Sequence, residues 1–329
     1  MIRFNRLLLL IIIGLAFAFA GCSGGGGGGS DDSGGGASGL TYSGVTTPAQ
    51  VDESNAIDIS RGAFEAGSTE LIDDGMMDLS VDQQIESYHI RNFRSVKVPM
   101  LLSDSLNLVD FTSSSSGGIQ AATQTESDII EGRCGGTMSY SVSVDDAQGT
   151  FKGSFTFSDY CNDGTTINGA AGFDGRMDVD SGEFIEATFS FDDISEGDFS
   201  LDGEIHIDFA ATPNVVTFNA YSQDPISGDV FWIKNYSITI DEFAGYVEIE
   251  MVGMFYHPDF GYVTLSTPEP LVLYDGDEWP ESGALIVTGA NGSKAKLTAI
   301  DHLTRKVEVD RDGDGDYEWV SDDMRWEEL

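Results

Sequence analysis

Near the C-terminus, Asp310-Arg311-Asp312-Gly313-Asp314-Gly315-Asp316-Tyr317-Glu318 places acidic side chains at alternate positions, with a glycine sixth. Calcium is a hard cation that takes oxygen ligands, and a 12-residue loop supplies them at this spacing, the sixth glycine making the sharp turn. Read this way, Asp310, Asp312, Asp314 and Glu318 provide carboxylates and Asp316 a backbone carbonyl. Position twelve is Ser321, where a bidentate glutamate would be usual, and Asp322 or Asp323 stands beside it as a substitute. The flanks KVEVD and YEWV alternate as strands do, so the loop is expected to join a β-hairpin and to bind Ca²⁺ structurally. Its affinity should be weak, with Kd about 10⁻⁴–10⁻³ M.

The other residues with chemical potential are three cysteines, four histidines and the tryptophans. Cys134 and Cys161 each border a two-strand pattern and are expected to form a disulfide if the chain is exported. A redox or metal role is the lesser reading, because no CxxC and no adjacent histidine supports it. His206 lies on a polar strand face with Asp208 two residues on, and His257 precedes Pro258-Asp259; each reads as an ordinary surface or core residue. There is no HExxH zinc motif. Carboxylates are so abundant that pairing any two as a glycosidase dyad carries no information. Trp279, Trp319 and Trp326 gather near the C-terminus and are expected to pack in the core or at an edge beside the acidic loop rather than to form a sugar platform. No catalytic residue is assigned, and the chain is expected not to be an enzyme. An envelope hydrolase is the weakest of the readings.

The elements that must position these residues are mostly strands. Met138, Tyr140, Val142 and Val144 alternate with Ser139, Ser141, Ser143 and Asp145, giving one apolar and one polar row. The same alternation recurs in Ile185–Phe191, in Phe199–Phe209 opposite Asp202, Glu204, His206 and Asp208, and in Val247–Phe255. Turn pairs such as Asp163-Gly164, Ser181-Gly182 and Glu196-Gly197 fall between the runs. The fold class is therefore mainly β, a large antiparallel meander of ten or more strands forming a curved sheet, sandwich or soluble barrel. One or two N-terminal helices accompany it. Ser80-Val81-Asp82-Gln83 begins one as a capping box, and helical spacing continues over about 81–97 until Pro99; a shorter helix spans about Glu53–Ala66, stopped by Gly67. Ser113–Gly118 marks a loop.

At the other end, MIRFNR and the apolar run Leu7–Gly21 have the layout of a signal peptide, too short for a bilayer span. The residues Phe19-Ala20-Gly21 before Cys22 resemble the lipobox of bacterial lipoproteins, with Phe19 where leucine is usual. That resemblance implies cleavage before Cys22, diacylation of that thiol and anchoring to a membrane. Ser23 in place of aspartate implies the outer membrane, on its periplasmic or cell-surface face. Residues 22–39 form a Gly/Ser-rich tether spanning roughly 20–25 Å. The segment RCGGTMSYSVSVDDAQGTFKGSFTFSDYCNDGTTINGAAGFDG, running on into the following strands, resembles a group of uncharacterised proteobacterial lipoproteins with a glycine tether and a β-rich body. The acidic loop likewise resembles the DxDGDGxxE-type loops of EF-hand-like and dockerin-like repeats.

The expected organisation is a signal peptide at 1–21, lipidated cysteine and tether at 22–39, a partly helical region at 40–118, an antiparallel β domain at 119–270 and a C-terminal β module at 271–329. Of 16 Lys and Arg, Arg3 and Arg6 leave with the leader, so 14 face 56 Asp and Glu. Nucleic acid is excluded as a partner by that balance, since phosphate binding rests on basic residues. Lateral contact with an anionic membrane is equally disfavoured, leaving the lipid as the membrane contact. The leading expectation is a membrane-anchored, calcium-stabilised lipoprotein with a non-enzymatic binding or scaffolding role toward another envelope protein or a glycan. The alternative is a carrier of lipid or another hydrophobic ligand, with phenylalanine rows lining a cavity.

Overall fold

The computed structural model describes residues 39–68 and 123–326, except 146, 162–163, 165, 180–183, 197–198 and 225–226. The helix expected over about 81–97 lies outside the described residues, as do the Ser113–Gly118 loop, the leader, Cys22 and most of the tether. Among the described residues no helix is long and apolar enough to cross a membrane.

Among the described residues one α-helix, α1 (Ala56–Ser68), precedes fifteen strands: β1 (Thr123–Glu131), β2 (Gly135–Asp145), β3 (Thr150–Cys161), β4 (Thr166–Met177), β5 (Phe184–Glu196), β6 (Phe199–Asp208), β7 (Asn214–Gln223), β8 (Val230–Phe243), β9 (Tyr246–His257), β10 (Gly261–Tyr274), β11 (Ser282–Thr288), β12 (Lys294–Asp301), β13 (Thr304–Asp310), β14 (Trp319–Val320) and β15 (Met324–Arg325). All belong to one antiparallel sheet in strict sequence order from β1 to β14, with β15 also on β13. The sheet is not closed into a barrel. It is continuous through position 270, which β10 itself spans.

A sequential meander sorts its connections by parity. Those after odd-numbered strands lie along one rim, here called the odd rim, and those after even-numbered strands along the other, the even rim.

The alternation expected from the sequence sets the two faces. Met138, Tyr140 and Val142 are buried, as are Ala187 and Phe191, Ile205 and Ile207, and Ile249, Met251 and Phe255, and all join one continuous core. Each phenylalanine fully buried there contributes roughly 1.5–3 kcal/mol. Phe209 breaks the pattern: it lies past the end of β6, its N–H donating to the Ile185 carbonyl, and it is exposed.

Helix α1 packs on β8, β9, β11, β12 and β13. Its start lies later than the sequence suggested because residues 53–55 form a turn held by the side chains of Asp52 and Asn55. The Asp52 carboxylate accepts from Ser54 N–H (2.8 Å), and the Asn55 side-chain oxygen accepts from Asp52 N–H (3.0 Å). Gly67 does not end the helix, which continues to Ser68. Ile59, Ala63 and Phe64 face the core, and Tyr236 from β8 donates its hydroxyl to the Ala63 carbonyl (2.9 Å). Gly62 allows the close approach to β9: a Cβ there would sit 2.7 Å from the Phe255 ring.

The segment leading into α1 runs along the odd rim. Val45 N–H donates to Pro258 O (2.9 Å), Ala49 N–H to Tyr262 O (2.8 Å) and Ala290 N–H to Ala49 O (2.6 Å). Val51 N–H donates to the Ser293 hydroxyl (3.0 Å). Tyr42 lies against Trp232 and Tyr256, with ring centroids 6.0 and 5.7 Å away, and its hydroxyl donates to His257 O (2.9 Å).

Candidate metal centre

The acidic loop connects β13 to β14 on the odd rim, with Val309 opposite Trp319 and Glu308 opposite Val320, so it is a β-hairpin loop as expected. Two backbone conformations create it: Gly313 (φ 78°) and Gly315 (φ 97°) occupy the left-handed region that favours glycine. The chain therefore wraps around the Asp310 carboxylate. Oδ1 accepts from Gly313 N–H (2.7 Å), and Oδ2 accepts from Gly315 N–H (3.0 Å) and from the Lys294 ammonium (3.4 Å).

Asp310 is fully buried. Burial raises the pKa of its carboxyl, but the two N–H donors and Lys294 outweigh it and hold the group below the ordinary carboxylate range. Asp312 accepts from Asp314 N–H (3.2 Å), Asp314 from Asp316 N–H (2.9 Å), and Glu318 from Arg311 N–H (2.8 Å).

One oxygen each from Asp310, Asp312, Asp314 and Glu318 lies within 4.8 Å of all the others. Ligands on opposite sides of a Ca²⁺ ion, each about 2.4 Å from it, are themselves about 4.8 Å apart, so this spread fits a single ion. Among the described residues the four carboxylates meet one ammonium, Lys294, while the Arg311 guanidinium turns away to Glu53 (3.3 Å). The donor set is all oxygen, which suits a hard divalent cation rather than a thiophilic one.

Asp316 is not among the converging carboxylates; its expected part was a backbone carbonyl. Asp322 and Asp323 do not join the cluster either. Ser321 at position twelve uses its hydroxyl on the backbone, accepting from Val307 N–H (3.0 Å) and donating to Asp322 O (2.7 Å).

Contacts invisible in the local sequence hold the loop to the N-terminal segment. The Gln50 side-chain amide donates to Arg311 O (3.1 Å) and accepts from the Asn291 amide (3.2 Å), and Glu53 pairs with Arg311.

Elsewhere, Cys134 and Cys161 stand at disulfide distance, with Cα atoms 5.1 Å apart, and Cys134 N–H donates to Cys161 O (3.0 Å). The tryptophans separate. Trp319 packs next to the acidic loop, as expected, but Trp279 and Trp326 do not: they stack at 5.4 Å beneath α1, where Phe64 meets Trp326 at 5.1 Å. Trp326 is fully buried, with the equally buried Arg305 guanidinium 5.5 Å from its ring. His206 bonds Thr188 (3.0 Å) on the polar face. His257 is half-buried among Phe231, Phe255 and Phe260, and burial lowers its pKa.

A second donor group was missed. Asp277, Glu281 and His302 converge within 4.8 Å on the even rim, where the β10–β11 and β12–β13 connections meet. His302 Nδ1 lies 3.0 Å from Glu281, both side chains are exposed, and this bond raises the imidazole pKa. Its residues are 21 apart in sequence, beyond any local spacing rule.

Compared with protein-family models, with curated proteins and with solved structures, the chain matches none of them.

Proposed function

We propose that this protein is a lipoprotein anchored through Cys22 to the outer membrane, with a non-enzymatic binding or scaffolding role and a structural Ca²⁺ held by Asp310, Asp312, Asp314 and Glu318. The observation that carries the reading is the seam on the odd rim. There the segment that follows the tether is bonded to Arg311 of the acidic loop through Gln50 and Glu53, and Gln50 also bonds Asn291 of the β11–β12 connection. A cation in the loop would offset the surplus of carboxylates and stiffen the place where the body meets its anchor. The phenylalanine rows that would line a carrier's cavity are instead packed in a continuous core, Phe155 being fully buried, so side-chain placement adds nothing to the carrier reading.

Thermal unfolding of the full chain in 5 mM CaCl₂ and in chelator tests the ion. With Kd about 5 × 10⁻⁴ M, mass action stabilises the folded state by about 1.4 kcal/mol. An unchanged midpoint, with Asp312→Ala indistinguishable from wild type, refutes the site. Cys22→Ser should move the protein from the membrane to the soluble fraction and abolish palmitate labelling.

A further inference from the structure

We propose that the even rim is the docking surface for a protein partner that presents apolar side chains flanked by lysine or arginine. The proposal rests on the tethered, binding-protein reading and adds the surface and the chemistry of its partner.

Phe243, Tyr246 and Tyr274 occupy directly opposed positions on three neighbouring strands, β8, β9 and β10. Phe243 and Tyr246 stack at 4.8 Å and Tyr246 meets Tyr274 at 5.6 Å. Their sheet neighbours Val247 and Leu273 face the core, so strand alternation puts the three rings on the opposite, outer face. Phe243 is 44% and Tyr274 46% exposed. Single exposed apolar residues are ordinary, but a contiguous aromatic cluster at a sheet rim has the composition of an interface hot spot.

The cluster is pre-organised. Asp275 N–H donates to Gly245 O (3.1 Å), tying the β10–β11 connection to the β8–β9 turn, and Asp277 N–H donates to Tyr274 O (3.0 Å). Binding on such a frame costs little ordering entropy.

Charge selects the partner. Asp241, on the same face as the rings, and Asp275 in the turn beside them are exposed, and Asp277 and Glu281 follow along the rim. Neither 241–246 nor 274–282 contains a Lys or Arg. A second copy of this chain would bring acid against acid, and an anionic lipid surface would be repelled in the same way. A basic partner gains both ion pairs and cation–π contact with the tyrosine and phenylalanine faces. Topology agrees, because the segment following the tether lies along the odd rim and leaves the even rim on the far side of the sheet.

The test uses the full chain and two fluorescent peptides that share the same leucine and phenylalanine positions, one bearing lysines between them and the other glutamates. The basic peptide should bind, about tenfold more weakly after joint Phe243→Ser and Tyr274→Ser replacement. Asp241→Lys with Asp275→Lys should shift preference toward the acidic peptide. Equal binding of the two peptides, an affinity unchanged in the double serine variant, or a preference unmoved by charge reversal overturns the proposal. So does flotation of the Cys22→Ser chain on anionic vesicles that is lost with the serine variant. If the peptides fail while Cys22→Ser still releases the protein from the membrane, the tethered reading stands and the rim assignment alone falls.

Discussion

Glu65, in the last turn of α1, should make this fold weaken as the pH rises. The side chain is only 9% exposed and its Oε2 atom is buried with no hydrogen-bond partner. Burial pushes its pKa from 4.5 up to about 7, against the opposing pull of Arg61 and Arg305 and with a small further push from Asp224. The folded state thus holds a proton that the unfolded chain releases near 4.5. Stability from this group is intact below that value, declines as the pH climbs through the window from 4.5 to about 7, and is fully lost above it. At about 1.4 kcal/mol per pH unit between the two values, the ionised carboxylate costs the folded state about 3 kcal/mol. Glu65→Gln removes the charge and preserves the shape, so it should match wild type at pH 4.5 and exceed it by about 2–3 kcal/mol at pH 8. Urea unfolding of the two proteins at half-unit steps of pH measures the difference directly. Using a difference removes His257, whose lowered pKa acts in the opposite sense, with stability lost as the pH falls toward it from 6.5. A gap between variant and wild type that stays constant across the window refutes the reasoning.

Two further predictions concern how the body is held together. Reducing the Cys134–Cys161 pair, or replacing both residues with serine, opens a closure of 27 residues and should cost about 3 kcal/mol, read as a lower urea midpoint with little change in slope. Gly62→Val should cost about 1–3 kcal/mol, because its side chain enters the space of the buried Phe255 ring. The discriminating signal is faster hydrogen exchange in α1, with β2–β5 protected as before.

Much of the sheet was legible because a strand with one buried face writes a period of two into its sequence. Met138–Val142 and Ile249–Phe255 carried that signal and hold those places in the core. The hairpin loop at 310–318 was legible for a related reason: its ligands, glycines and flanking strands are all local. Four things were not legible. The absence of closure into a barrel depends on curvature summed over many strands. Glu65 and Arg305 read as surface charges by type, yet both are buried where α1 meets β13. The His302–Glu281 pair and the Gln50–Arg311 bond join residues that only the alternation of rims and the path of the N-terminal segment bring together. Trp326 was misplaced beside the acidic loop because nearness in sequence was taken for nearness in space, while the chain between them crosses the whole sheet from one rim to the other.

The strict strand order has a consequence for how the molecule is made. From β2 to β14 each strand pairs with the one just synthesised, so the sheet can zip forward as the chain lengthens, with little loop-closure entropy at each step. Helix α1 is the exception. It is made before any described strand, but its seat includes β11, β12 and β13, more than 200 residues downstream. The first of the described elements to be made is therefore among the last to complete its contacts. A chain that stops short of β13 can form most of its sheet and still lack part of the seat of α1.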